Sequence, residues 1–222
     1  MNIGIHAVHK ILSSAKKDDE FNTSYNKISE YLSYDEKRLV IIKSDFNEAS
    51  SRSRFDILSV LEKFIQNGLL KKEDEDKKTI TYKVKSPIVS LCLKKSGNVL
   101  EYYTAVAASS LNFLSDIKVG VHIEWDISSK YYETQNEIDV MAVSNSLPVF
   151  ISCKNGEVRK EALYELDSVA RALGGSYSKK VLVCTFLARS KMAKEKLLER
   201  ASDMGIKVVF NTHSITFEKF LT

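Results

Sequence analysis

Between Asn136 and Lys154 the chain alternates apolar and polar residues in two runs, Asn136-Glu137-Ile138-Asp139-Val140 and Phe150-Ile151-Ser152-Cys153-Lys154. A polar turn, Ser144-Asn145-Ser146-Leu147-Pro148, separates them. Period-two alternation on both sides of a turn predicts an antiparallel hairpin. With Asn145-Ser146 as a two-residue loop, Asp139 lies opposite Ser152 and Glu137 opposite Lys154. Opposed residues share a face. One face is then expected to carry Glu137, Asp139, Ser152 and Lys154, and the other Ile138, Val140, Ile151 and Cys153. Two carboxylates, a hydroxyl and an ammonium are costly to bury unless they pair or bind an ion.

This grouping suits metal-assisted cleavage of a phosphodiester. Mg²⁺ or Mn²⁺ takes oxygen ligands and is commonly held by one or two carboxylates with water and phosphate. A nearby lysine can orient water or stabilise charge on phosphorus. The plainer alternative is a surface hairpin with a cross-strand Glu137–Lys154 ion pair, worth about 0.2–1 kcal/mol.

The net charge of +4, from 33 basic and 29 acidic residues, is too small to mark a nucleic-acid protein by itself. Cys92, Cys153 and Cys184 sit in apolar runs and predict buried, reduced thiols in a cytoplasmic protein. The His6-x-x-His9 pair has no partner residues at zinc-finger spacing. No apolar run reaches membrane-spanning length, and the N-terminus lacks a signal-peptide core. No membrane partner is expected.

At 222 residues the chain is long enough for two small domains. Helical periodicity is expected over 4–16, 23–32 and 54–66, the last closed by Asn67-Gly68. Residues 38–42 read as a short strand or a helical turn. Residues 47–54 read as a loop or a helix start, and 71–78 as a solvated charged turn before a strand at 79–85. Helix, turn and wing-like strands together predict a winged helix-turn-helix in a domain spanning 1–95. Its acidic tip, Glu73 to Asp76, disfavours phosphate contact and favours a packing or dimerisation role.

Ser86-Pro87 marks a break. The domain spanning 96–222 is expected to open with a helix at about 98–114 that places Glu101 in its first turn. There Glu101 is either functional or an ordinary dipole-complementing acid. A strand at 119–125, the hairpin, a helix at 158–173, a buried strand at 180–186, a helix at 190–204, a strand at 206–210 and a helix at 214–221 follow. This order predicts an α/β fold, a mixed sheet flanked by helices. Arg159, Lys160, Tyr164 and Glu165, on the helix after Lys154, are candidate substrate contacts or simply the solvated face of an amphipathic helix.

Helix acid, strand acid, x-x-Lys, helix and strand follow the order of the restriction-endonuclease-like PD-(D/E)xK nuclease core. Asn98-Val-Leu-Glu-Tyr-Tyr103, Trp125-Asp126, Asn136-Glu-Ile-Asp-Val140, Ile151-Ser-Cys-Lys-Asn-Gly156, Leu163-Tyr-Glu-Leu166 and Leu173-Gly-Gly175 together resemble the C-terminal half of CRISPR-associated ancillary nucleases. Those proteins join a CARF sensor domain, a winged helix and a PD-(D/E)xK nuclease, and the resemblance covers residues 54–222. It implies a homodimeric, metal-dependent endonuclease acting on DNA and/or RNA in antiviral defence. It also implies control by cyclic oligoadenylate through a CARF domain. Residues 1–53 are too short for that domain, so the chain is expected to be a sensor-less homologue or a piece of a larger protein.

By the same resemblance Glu101 corresponds to the helix acid, Asp139 to the central metal ligand, Glu137 to an adjoining acid and Lys154 to the family lysine. The set Glu101, Glu137 and Asp139 is expected to hold Mg²⁺ or Mn²⁺. The chain departs from the pattern at Ser152, where an acid is expected. Two readings therefore compete with the leading one: a restriction- or resolvase-type nuclease, and a non-catalytic nucleic-acid-binding regulator on a decayed nuclease scaffold.

Overall fold

The computed structural model describes residues 26–48, 51–66, 68–124 and 135–210. The helices expected at 4–16 and 214–221, and Trp125-Asp126, lie outside the described residues. The chain divides into two compact units, Met1–Val99 and Leu100–Thr222.

In the first unit a 3₁₀ turn (Lys27–Tyr31) leads to β1 (Arg38–Ile42), α1 (Lys43–Glu48), α2 (Ser51–Gln66), β2 (Leu70–Glu75), β3 (Thr79–Val84) and α3 (Pro87–Lys94). The sheet order is β1-β3-β2, with both pairings antiparallel. Ile57, Val60, Leu61 and Phe64 of α2, at helical spacing, are buried, as are Leu39 and Ile41 of β1. Gly68, at φ +68°, follows α2 in the left-handed conformation that suits a helix end. The break at Ser86-Pro87 is a helix start: Ser86 Oγ accepts from Val89 N, and proline takes the first helical position.

The charged run after Leu70 is a strand rather than a turn. Lys71–Glu75 pairs with β3 while its side chains stay exposed, and the turn shrinks to residues 76–78. Three of its acids, Glu73, Glu75 and Asp76, have partners within the unit. Glu73 meets Arg38, Glu75 meets Lys43 and Lys72, and Asp76 Oδ1 accepts from the Lys78 and Thr79 amides.

The second unit takes most of α4 (Ser96–Ser109), then β4 (Ser115–Glu124), β5 (Gln135–Ser144), β6 (Leu147–Glu157), α5 (Lys160–Gly174), β7 (Lys179–Phe186), α6 (Lys191–Asp203) and β8 (Ile206–Phe210). The five strands run in the order β4-β5-β6-β7-β8, antiparallel to β6 and parallel beyond it. It is therefore a mixed sheet flanked by helices. One face, with Val140, Ala142, Val149, Ile151, Cys153, Val181 and Val183, packs on Leu100, Ala105 and Ala108 of α4. The other, with Ile138, Phe150, Leu182 and Cys184, packs on Leu163, Leu166 and Ala170 of α5 and Ala201 of α6. The three cysteines are buried and free, and burial pushes the Cys184 thiol up to about 12. Among the described residues no helix is long and apolar enough to cross a membrane.

One ion pair ties α5 to β7. Lys180 Nζ lies 2.6 Å from Asp167 Oδ1 and donates to Met204 O, with both side chains at most 15% exposed. Burial alone would raise the Asp167 carboxyl, but Lys180 and Arg171 together hold it below the usual carboxylate range. Such a group stabilises the fold above its unfolded pKa of about 3.9, and that stability is lost as pH falls through the lower, folded value. We expect Asp167→Asn to cost about 2 kcal/mol at pH 7, because it leaves Lys180 a buried, unpaired cation. Urea denaturation should show the gap closing below about pH 4; a gap unchanged from pH 7 to pH 3 would exclude this role for the pair.

Candidate active site

The site begins at a fork in the sheet. The β5–β6 ladder runs from Ser144–Leu147 to Val140–Ile151 and stops. Beyond that point β5 remains paired to β4, through Ile138 and Glu137, and β6 remains paired to β7 through Lys154 and, after a register shift, at Glu157. In the gap the Asp139 carboxylate takes the place of the ladder. Its Oδ2 accepts from the Cys153 amide at 2.6 Å and from Ser152 Oγ at 3.1 Å.

Asp139 reaches sideways because two strands change face together. Ile117 and Val119 pack with the α4-side core, whereas Val121 and Ile123 pack with the α5-side core. On β5, Val140 lies on the α4 side and Ile138 on the α5 side. Regular alternation would keep each of these sets on one face. The change falls at the facing positions Gly120 and Asp139, between the pairs Val119–Val140 and Val121–Ile138. Gly120 has φ +61°, a conformation that glycine adopts without steric cost. A Cβ at Gly120 would lie 3.6 Å from Glu137 Oε1, which places the Glu137 carboxylate over this point. The expected apolar face is therefore corrected at one residue: Ile138 leaves Val140, Ile151 and Cys153 and joins the opposite core.

Glu137, Asp139, Ser152 and Lys154 line one cavity of about 210 Å³, closed on the helical side by Glu165, Leu166 and Val169 of α5. Burial raises the Asp139 carboxyl above its usual range. The Cys153 amide, the Lys154 charge and the Ser152 hydroxyl pull it down, and Glu137 adds to the rise. Among the described residues Lys154 makes no ion pair or direct hydrogen bond, so its ammonium is available to a ligand in the cavity. Ser152 is therefore more than a missing acid, because its hydroxyl holds one oxygen of Asp139 in place.

Glu101 stands apart from this cavity. It lies half-buried in the second turn of α4, not the first, because the helix begins at Ser96. It is one turn before Thr104, whose Oγ1 accepts from Cys153 Sγ at 3.5 Å. Burial, with the charges of Asp139 and Glu101, raises the Cys153 thiol well above its usual range. Glu101 is thus close to the fork on the α4 side. Among the described residues no three of His, Cys, Asp and Glu stand close enough to enclose a metal ion. Hard oxygen donors on two neighbouring carboxylates do fit a divalent cation that completes its shell with water and phosphate.

Of the other substrate candidates, only Glu165 reaches the cavity. Arg159 precedes the first turn of α5 and makes no capping bond with its side chain. Lys160 lines a separate groove of about 620 Å³ with Lys196 and Arg200 of α6. Tyr164 is exposed, and its hydroxyl accepts from Arg200. Lys196 and Arg200 had no sequence signal linking them to α5, since two helices side by side on one face of a parallel sheet leave no motif.

The Card1-like, endonuclease domain family matches residues 93–221. No curated protein matches the sequence. Among solved structures, protein VC1899 from Vibrio cholerae aligns with a TM-score of 0.61 and 16% identity over 95% of this chain and 53% of its own. Can2 from Sulfobacillus thermosulfidooxidans, in complex with cyclic tetra-adenylate, aligns with a TM-score of 0.47 and 12% identity over 94% of this chain and 52% of its own. The chain spans about half the length of both. The likeness to VC1899 concerns the fold alone.

Proposed function

The chain belongs to the Card1-like endonuclease domain family, and from that footing we propose that it is a metal-dependent endonuclease of the PD-(D/E)xK type, cutting DNA and/or RNA. The observation that carries this reading is the fork cavity, lined by Glu137, Asp139 and Lys154, the last without an ion-pair partner among the described residues. Asp139 and Glu137 would hold Mg²⁺ or Mn²⁺, with Glu101 approaching from the α4 side. The ion, when bound, polarises the scissile phosphate and lowers the pKa of a bound water.

The remaining work falls to this chain's own groups. Ser152 and the Cys153 amide hold Asp139 Oδ2, which leaves Oδ1 without a partner among the described residues and free to take an ion. Lys154 Nζ donates to a non-bridging phosphate oxygen or to the attacking water, opposing the charge that grows on phosphorus. Leu166 and Val169 form the apolar wall that limits water around the reacting group.

The first unit supports a winged helix-turn-helix by its order of turn, strand, two helices and two strands, and by its β1-β3-β2 sheet. Its strand acids Glu73 and Glu75 already have partners, so we assign it to packing, with homodimerisation as its role. We place the protein in CRISPR-linked defence from the resemblance of its motifs. A second reading, a decayed scaffold that binds without cutting, is favoured by Ser152 and by the absence of a three-acid cluster among the described residues.

Incubation with single- and double-stranded DNA and RNA separates the two. We expect cleavage with Mn²⁺ or Mg²⁺ that stops in excess EDTA and returns when the ion is restored. Cutting that survives the chelator would exclude the metal mechanism. Binding with no cleavage under any ion would favour the decayed scaffold.

A further inference from the structure

Successive residues of α5 open onto two different places. Glu165 lines the fork cavity, while Tyr164, 46% exposed, turns toward α6. The Arg200 guanidinium lies 5.8 Å from the centre of the Tyr164 ring, at its hydroxyl end, and donates to that hydroxyl. The bond fixes the ring's orientation without covering the ring. An aromatic face with a guanidinium plane beside it is a stacking platform for a nucleobase.

Arg200 also borders the groove lined by Lys160, Lys196, Leu197, Glu199 and Asp203. Among the described residues neither Lys160 nor Lys196 has an ion-pair partner. Other cations nearby are engaged: Arg189 pairs with Glu157, and Lys180 and Arg171 pair with Asp167. Lys160 and Tyr164 lie one helical turn apart on α5, so a phosphate and its neighbouring base can be held together. Glu199 and Asp203 make the groove a mixed surface, so stacking carries more of the affinity than charge.

We propose that Tyr164 and Arg200 form a base-stacking shelf beside the catalytic cavity, with Lys160 and Lys196 receiving the adjoining phosphates. Within a duplex the bases are paired and stacked on one another, so a face becomes available to the shelf only in an unpaired strand. The proposal rests on the nuclease reading for its biological meaning, but binding tests it without catalysis.

The experiment is fluorescence anisotropy in EDTA with a labelled single-stranded oligo(dT), a single-stranded oligo(U) and a DNA duplex. It is run on the wild type, Tyr164→Ala, Tyr164→Phe and the double variant Lys160→Glu/Lys196→Glu, each checked for folding by circular dichroism. Tyr164→Ala should weaken single-strand binding about tenfold, while Tyr164→Phe keeps most of it. The double variant should weaken binding and lower its salt dependence by one to two charges. In cleavage assays with Mn²⁺, Tyr164→Ala should raise KM far more than it lowers kcat.

Folded variants that bind single strands as the wild type does, or a wild type that prefers the duplex, would overturn the shelf. If the wild type cuts nucleic acid and the variants do not differ from it, the nuclease reading stands and the shelf falls. If the shelf variants lose binding but the wild type cuts nothing, the shelf stands and the nuclease reading falls.

Discussion

Replacing Asp139 or Lys154 by alanine is expected to lower nucleic-acid cleavage at least about 10²–10³-fold, the scale on which loss of one preorganised charge-stabilising group acts. The two losses arise differently. Lys154→Ala removes a cation that has no partner among the described residues, so the folded protein gives up little by losing it. Asp139→Ala removes a proposed metal ligand, and it also leaves the Cys153 amide and the Ser152 hydroxyl without their shared acceptor. Some loss of stability should therefore accompany Asp139→Ala and not Lys154→Ala. Single-turnover cleavage at saturating Mn²⁺, with thermal unfolding measured alongside, reads both effects. Full activity in either folded variant would remove that residue from the mechanism.

A comparable loss, in stability rather than rate, is expected from one added methyl group at Gly174. A Cβ there would lie 2.6 Å from Ser178 Cβ, 2.7 Å from Pro148 Cγ and 2.8 Å from Phe150 Cε2. Phe150 is fully buried and cannot swing outward, and Pro148 belongs to β6 beside the hairpin turn. Overpacking of this kind costs about 1–3 kcal/mol, at about 2–4 °C of Tm per kcal/mol for a chain of this size. Gly174→Ala should melt several degrees lower, and Gly174→Val lower still. Cleavage per folded molecule should be preserved, because Gly174 lies at the far end of α5 from Lys160. An unchanged melting curve would mean that the end of α5 can move away at no cost.

The hairpin was legible in the sequence because its turn is. Asn145 and Ser146 both take positive φ, at 48° and 67°, as a tight two-residue loop requires, and the expected register follows from that turn. The buried strand β7 was legible from its unbroken apolar run. The change of face at Gly120 and Asp139 was not, since alternation rules assume that a strand keeps its faces. Glu101 was misplaced within its helix because Ser96-Gly97 reads as a break, although both residues are helical. The strand at Lys71–Glu75 was hidden because its side chains are solvated, so pairing left no apolar mark. Glu165 was singled out only as one of four neighbours on α5, and the structure separates it from Tyr164 by one step of the helix.

The bond from the Cys153 amide to Asp139 has a spectroscopic consequence. A backbone N–H held 2.6 Å from a carboxylate oxygen should resonate far downfield of the ladder amides around it, at a frequency that depends on the charge of that carboxylate. Anything that draws on Asp139, whether a proton, a divalent ion or a phosphate oxygen competing for its environment, should shift this one signal while the amides of Val149 and Ile151 hold still. A titration followed at residue 153 would report occupancy of the fork directly, in a protein that had not yet been given anything to cut.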